Sequence, residues 1–168
     1  MNLLQLLEIT LERKASIKIN AIVNRNLKTF TGGQKFFTQM DKEVKIPLFF
    51  DALWEKAKEE QGNFVPVVSG GYGLSFARHL RVHKGIKVII LNGGLRTGEP
   101  ISLSNYSHLI KGNRIVFFDD SFFHGKTREK VKQEIERLGG KLVATYVCYD
   151  GSKITDNTVH SLYRYHKV

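Results

Sequence analysis

The stretch Arg114 to Thr127, R-I-V-F-F-D-D-S-F-F-H-G-K-T, decides how this chain is read. Ile115 to Phe118 form an unbroken apolar run, the mark of a strand buried on both faces. The run ends in Asp119-Asp120. Adjacent carboxylates at a strand's exit repel each other and lose hydration, so they call for a cation, hydroxyls or backbone donors. Ser121 to Thr127 then wraps into a helix start, where unpaired N–H groups and the positive end of the helix dipole favour a phosphate. Gly125 permits a tight turn, and the hydroxyls of Ser121 and Thr127 add donors. The acidic pair suits sugar hydroxyls or a magnesium shell, and the turn suits a phosphate. A phosphorylated ribose satisfies both.

Working outward, Val131, Ile135 and Leu138 line one face of the helix after this turn, closed by Gly139-Gly140, and Leu142–Cys148 reads as the next strand. Upstream, Phe50, Leu53, Trp54 and Ala57 mark a helical face ended by Gly62-Asn63. Phe64–Val68 is a short apolar strand leading into Ser69-Gly70-Gly71-Tyr72-Gly73. Leu74, Ala77 and Leu80 predict a helix stopped by Gly85, and Lys87–Leu91 predicts a strand. Residues 92–108 form a long polar stretch with three glycines and a proline. Alternating apolar strands and amphipathic helices predict an α/β fold, a mainly parallel sheet with helices on both faces. Ligands in such sheets bind at the carboxyl ends of the strands. Residues 1–45, with helical spacing of Leu3, Leu4, Leu7 and Leu11 and an alternating Ile17–Val23, are expected to form a small N-terminal hood. Residues 46–150 form the core and 151–168 a C-terminal segment of one domain, 1–168.

The 168 residues suit a single domain. Lysine and arginine total 26 against 16 aspartate and glutamate, a net charge of +10, spread along the chain without a basic tail. Such an excess fits nucleic acid, a polyphosphate ligand or solubility alone. No apolar run reaches the roughly 18–20 residues of a membrane span, and the start is not expected to be a signal peptide. The single cysteine, Cys148, excludes an intrachain disulfide and makes a reducing, cytoplasmic setting the expectation.

Other motifs yield to blander readings. Gly125-Lys126-Thr127 matches the tail of a Walker A loop, but Asp120 stands where that motif needs glycine. His79 and His83 lie one helical turn apart among Arg78 and Arg81, which favours a solvated basic face over a metal site or a nucleic-acid contact. Trp54 reads as core, Cys148 as an inert buried thiol, and Tyr163 and Tyr165 as packing residues of an edge strand.

The segment I-V-F-F-D-D-S-F-F-H-G-K-T resembles the phosphoribosyl pyrophosphate signature of type I phosphoribosyltransferases: four apolar residues, two acidic ones, then a loop ending T-G-x-T. Residues 65–74, V-P-V-V-S-G-G-Y-G-L, resemble that family's pyrophosphate loop, and the spacing between the two segments also agrees. The resemblance implies roles. Asp119 and Asp120 would contact the ribose hydroxyls, directly or through water on Mg²⁺. Ser121, Phe122, Phe123, His124, Gly125, Lys126 and Thr127 would cradle the 5′-phosphate. Ser69, Gly70, Gly71 and Tyr72 would bind pyrophosphate. Residues 92–108 would be a mobile flap, with Arg96 reaching the leaving group as a catalytic residue beside Asp119 and Asp120.

Three positions depart from the family's pattern. His124 stands where a small residue is usual, Phe123 where purine-specific members carry an aspartate, and Ser69 where the hypoxanthine-guanine branch has lysine. The resemblance implies transfer of a phosphoribosyl group to a nitrogenous base, with Mg²⁺ as cofactor, pyrophosphate as leaving group, room for a homodimer and no membrane partner. The altered loop and the net charge motivate a second reading, a non-catalytic regulator of the same fold that binds nucleotide and nucleic acid.

Overall fold

The structure, a computed structural model, describes residues 46–69, 72–91, 101–152 and 155–164. The expected hood at 1–45 and the first part of the expected flap, 92–100, lie outside the described residues. Helix α1 (Ile46–Gln61) leads to β1 (Val65–Val68), α2 (Tyr72–Lys84) and β2 (Ile89–Ile90). A 3₁₀ turn (Ser104–Tyr106) and the short α3 (Ser107–Ile110) precede β3 (Arg114–Phe122). Helix α4 (Lys126–Arg137), β4 (Lys141–Asp150) and β5 (Val159–Arg164) follow. All neighbouring strands are parallel, in the order β2-β1-β3-β4-β5.

Two apolar layers hold the sheet between its helices. On one face Phe50, Leu53, Trp54 and Ala57 of α1 and Phe76, Ala77 and Leu80 of α2 pack on Val68, Val116, Phe118, Tyr146 and Cys148. On the other, Leu103, Ile110, Val131 and Ile135 cover Val67, Ile89, Ile115 and Phe117. The alternation of Val116 and Phe118 with Ile115 and Phe117 is the period-two geometry of a strand covered on both sides. Trp54 and Cys148 are core residues, as their positions predict.

Several boundaries differ from the sequence reading. β3 does not stop at Phe118; it runs on to Phe122, paired with β4 as far as Asp150. Ladder pairing uses only main-chain groups, so it outlasts the apolar run that signals it. β2 is shorter than the apolar Lys87–Leu91, although Val88 and Leu91 are buried. Leu74 is 49% exposed, and Phe76, Ala77 and Leu80 carry the buried face of α2, one position out of phase with it. Residues 101–108 are not an open loop. Leu103 is buried, and its N–H donates to Glu134 Oε1 at 2.9 Å.

Glycine closes helices where the chain must turn left-handed, at Gly62 (φ +69°) after α1 and Gly85 (φ +64°) after α2. Gly140 serves a different need. A Cβ there would stand 2.7 Å from Ile110 Cγ2 and 2.8 Å from the Ile110 carbonyl oxygen. Gly140→Ala is expected to cost about 1–3 kcal/mol through overpacking, measured by urea unfolding; an unchanged midpoint would show that α3 yields freely.

Candidate functional site at the β1–β3 switch point

From β1 the chain passes through α2 to β2 on one side, while β3 lies on the other. The strand order therefore reverses between β1 and β3, the position where open α/β sheets bind ligands at the carboxyl ends of their strands. β1 pairs with β3 only as far as Val68 opposite Phe118, whereas β3 continues for four more residues. Asp119 and Asp120 lie on this overhang, past the last β1 pair.

Local hydrogen bonds hold the pair. The Ser69 hydroxyl, just beyond β1, donates to Asp119 Oδ1, and the same oxygen accepts the Asp120 N–H at 2.8 Å. The Ser121 hydroxyl donates to Asp120 Oδ1 at 2.9 Å. Burial, reinforced by the negative charge of Asp120, raises the Asp119 pKa above the ordinary carboxylate range despite the Ser69 bond. Burial, and then the charges of Asp120 and Asp119, push the neighbouring Cys148 thiol up, so it is held as an inert neutral group.

The residues that follow form a tight turn into α4. Gly125 is the N-cap, with φ +69° and no side-chain cap. Its carbonyl accepts the Glu129 N–H at 2.9 Å, the first bond of the helix. The Phe122 ring lies beneath the turn, 3.3 Å from where a Gly125 Cβ would stand. Phe122 is buried, and Phe123 packs partly against the α1–α2 layer. These two positions thus offer the site main chain and wall. His124 and Lys126 are exposed, and Thr127 is half-buried in the first helical turn.

The structure thus brings Ser69, Asp119, Asp120 and the Ser121–Thr127 turn together. Tyr72 begins α2. Gly70, Gly71 and Arg96 lie outside the described residues.

Supporting residues were not singled out by the sequence. Arg128 donates to Thr145 Oγ1 at 3.1 Å and to Thr158 Oγ1 at 2.5 Å, and pairs with Asp156 at 3.2 Å. It fixes the start of α4 to β4 and to the turn before β5. Glu134 holds Leu103, while Arg137 binds both Glu134 (2.7 Å) and Ser104 Oγ (3.0 Å), anchoring the chain that leaves 92–100 to α4. Charged residues on a helix read as solvated without their partners, so no local signal marks them.

The fold is that of the type I phosphoribosyltransferases. A purine phosphoribosyltransferase from Pyrococcus horikoshii superposes with a TM-score of 0.52 at 22% identity, over 71% of this chain and 82% of that one. An adenine phosphoribosyltransferase from Thermoanaerobacter pseudethanolicus gives 0.54 at 19% identity, over 76% and 86%. A hypoxanthine-guanine phosphoribosyltransferase from Bacillus anthracis gives 0.53 at 14% identity, over 73% and 78%. No protein-family model matches the chain, and no curated protein matches it either.

The raised Asp119 pKa has a testable consequence. The folded protein binds this proton more tightly than the unfolded chain, so the group's contribution to stability falls as pH rises from about 4 through the raised value. Asp119→Asn carries no proton to lose. It should gain stability over the parent by about 1–3 kcal/mol at pH ~8 and by almost nothing at pH ~4, read from thermal unfolding at both pH values. A gain of the same size at both would refute charge crowding at Asp119.

Proposed function

We propose that this protein is a phosphoribosyltransferase that binds phosphoribosyl pyrophosphate with Mg²⁺ and transfers the phosphoribosyl group to a nitrogenous base. The observation that carries the proposal is the acidic pair at the β1–β3 switch point, followed at once by an uncapped helix N-terminus. The kinship of fold with purine phosphoribosyltransferases supports it.

In this reading Asp119 and Asp120 orient the ribose, and the N–H groups of the Ser121–Thr127 turn, with the Ser121 and Thr127 hydroxyls, receive the 5′-phosphate. Ser69, Gly70, Gly71 and Tyr72 line the pyrophosphate subsite. Arg96 reaches the leaving group, and its chain segment excludes water from a carbon that water would otherwise capture. The bond from the anomeric carbon to pyrophosphate breaks as the bond to the base nitrogen forms, and the nitrogen's proton leaves to solvent. Holding charge on the leaving group and fixing the ribose are the protein's contributions.

The residues fit Mg²⁺. Asp119 and Asp120 crowd two carboxylates into one half-buried place, a charge distribution that a cation relieves. Among the described residues no group of three or more His, Cys, Asp or Glu side chains could hold a metal. Mg²⁺ is commonly held by one or two carboxylates, with water and substrate phosphates completing its shell. When bound, the ion would neutralise charge on the diphosphate.

No helix among the described residues is long and apolar enough to cross a membrane.

Pyrophosphate release with a panel of purine and pyrimidine bases tests the reading. At least one base should support turnover that chelation of Mg²⁺ abolishes. Asp119→Asn with Asp120→Asn should lower kcat/KM by roughly 10²–10³-fold. Absence of turnover with every base, or full activity in the double variant, would overturn the assignment.

A further inference from the structure

A second cavity lies at the opposite end of the sheet from the acidic pair. It is a hollow open to solvent, with a volume of about 400 Å³, lined by Arg81, Gly85, Ile86, Lys87, Val88, Tyr106 and Leu109. Ile86 to Val88 lead into the amino end of β2, and Tyr106 and Leu109 precede β3. The strands are parallel, so this cavity is separated from the switch-point site by the length of the sheet.

The lining has two chemical parts. Ile86, Val88, Tyr106 and Leu109 supply an apolar and aromatic floor; Val88 is buried and the others are half-buried. Arg81 and Lys87, both exposed, stand at its mouth. The left-handed Gly85 turns the chain back after α2, with Gly85 N–H on the Arg81 carbonyl and Ile86 N–H on the Leu80 carbonyl, each at 3.2 Å. That turn places Lys87 on the same cavity as Arg81. The Arg81 guanidinium is positioned by donating through Nη2 to the Val88 carbonyl at 2.7 Å. Among the described residues neither Arg81 nor Lys87 has a carboxylate partner, whereas Lys84 nearby pairs with both Asp51 and Glu55.

We propose that this cavity is a second ligand site, for a free mononucleotide. A planar base suits a floor of one tyrosine ring and three aliphatic side chains, because stacking is tolerant of base identity. A phosphate monoester suits a fixed guanidinium and an ammonium that line the same hollow. Neither an uncharged aromatic nor a bare phosphate uses both halves of the lining. The site does not depend on the function proposed for the switch point.

The test uses the full chain carrying Asp119→Asn and Asp120→Asn, which disables the sugar site proposed above without touching the second cavity. Equilibrium dialysis with radiolabelled AMP, GMP, CMP and UMP should show one bound nucleotide per chain for at least one of them. Inorganic phosphate should compete at least about tenfold more weakly than that nucleotide. Lys87→Glu, an exposed change with no folding role, should weaken binding at least about tenfold, as should Arg81→Ala and Tyr106→Leu. Circular dichroism should show all three variants folded. Binding by none of the four nucleotides, or binding indifferent to Lys87→Glu, would overturn the proposal. So would a short single-stranded RNA that binds through these residues when no mononucleotide does, since that outcome assigns the surface to nucleic acid.

Discussion

The bond from the Ser69 hydroxyl to Asp119 joins the end of β1 to the overhang of β3 across the place where strand order reverses. Much of the site's geometry depends on it. β1 stops pairing at Val68, and the Ser69 N–H still reaches the Phe118 carbonyl, so the two strands part just where the carboxylates begin. Without a donor at Ser69, Asp119 would face Asp120 with main-chain help alone, in a setting that already disfavours its charge. The helix start a few residues further on adds positive potential beside negative charge. One short segment thereby sets a repelled acidic pair beside the positive end of a helix, the combination on which the proposed phosphoribosyl site rests.

This arrangement is held in place by groups remote from it. Phe118 sits in an aromatic cluster with Trp54, Phe64, Phe76 and Tyr146, with ring centroids about 5–6 Å apart, so the strand that presents the carboxylates is gripped immediately before them. Tyr146 in turn donates to Glu60 Oε2 at 2.5 Å and stacks on His160, whose Nδ1 lies 3.0 Å from the same glutamate. Burial and the adjacent Glu60 raise the Tyr146 pKa, which keeps the phenol a donor. On the other face, Arg128 ties the start of α4 to β4 and the β5 turn. The cradle and the carboxylates are fixed from opposite sides of the sheet. Both are local in sequence yet depend on side chains up to about a hundred residues apart in the chain.

The sheet separates two kinds of surface. At its carboxyl end, acidic groups and bare N–H groups meet, which suits a ligand carrying both hydroxyls and phosphate. At its amino end, the turn after α2 and the 3₁₀ turn before α3 bring two cations to an apolar and aromatic hollow. In a parallel sheet every connection crosses from one end to the other, so the chain furnishes two loop sets with independent chemistry. Residues that shape one end are free to vary without disturbing the other.

Much of the core was legible before folding. Apolar runs at 64–68 and 115–118, helical spacing at Phe50–Ala57 and Val131–Ile135, and glycine stops predicted a parallel sheet with helices on both faces. The reason is that strand and helix periods depend only on local geometry and on which side chains avoid water. The Asp119–Asp120 pair and the turn to Thr127 were legible too, because their chemistry is contiguous in the chain. What the tertiary structure alone decided is how distant pieces meet: the hydroxyl of Ser69 on Asp119, the Arg128 clamp, Glu134 on Leu103, the phase that exposes Leu74, and the hollow between Arg81 and Tyr106. Each depends on the distance between residues far apart in sequence, and that distance exists only once two helical layers have closed on the sheet.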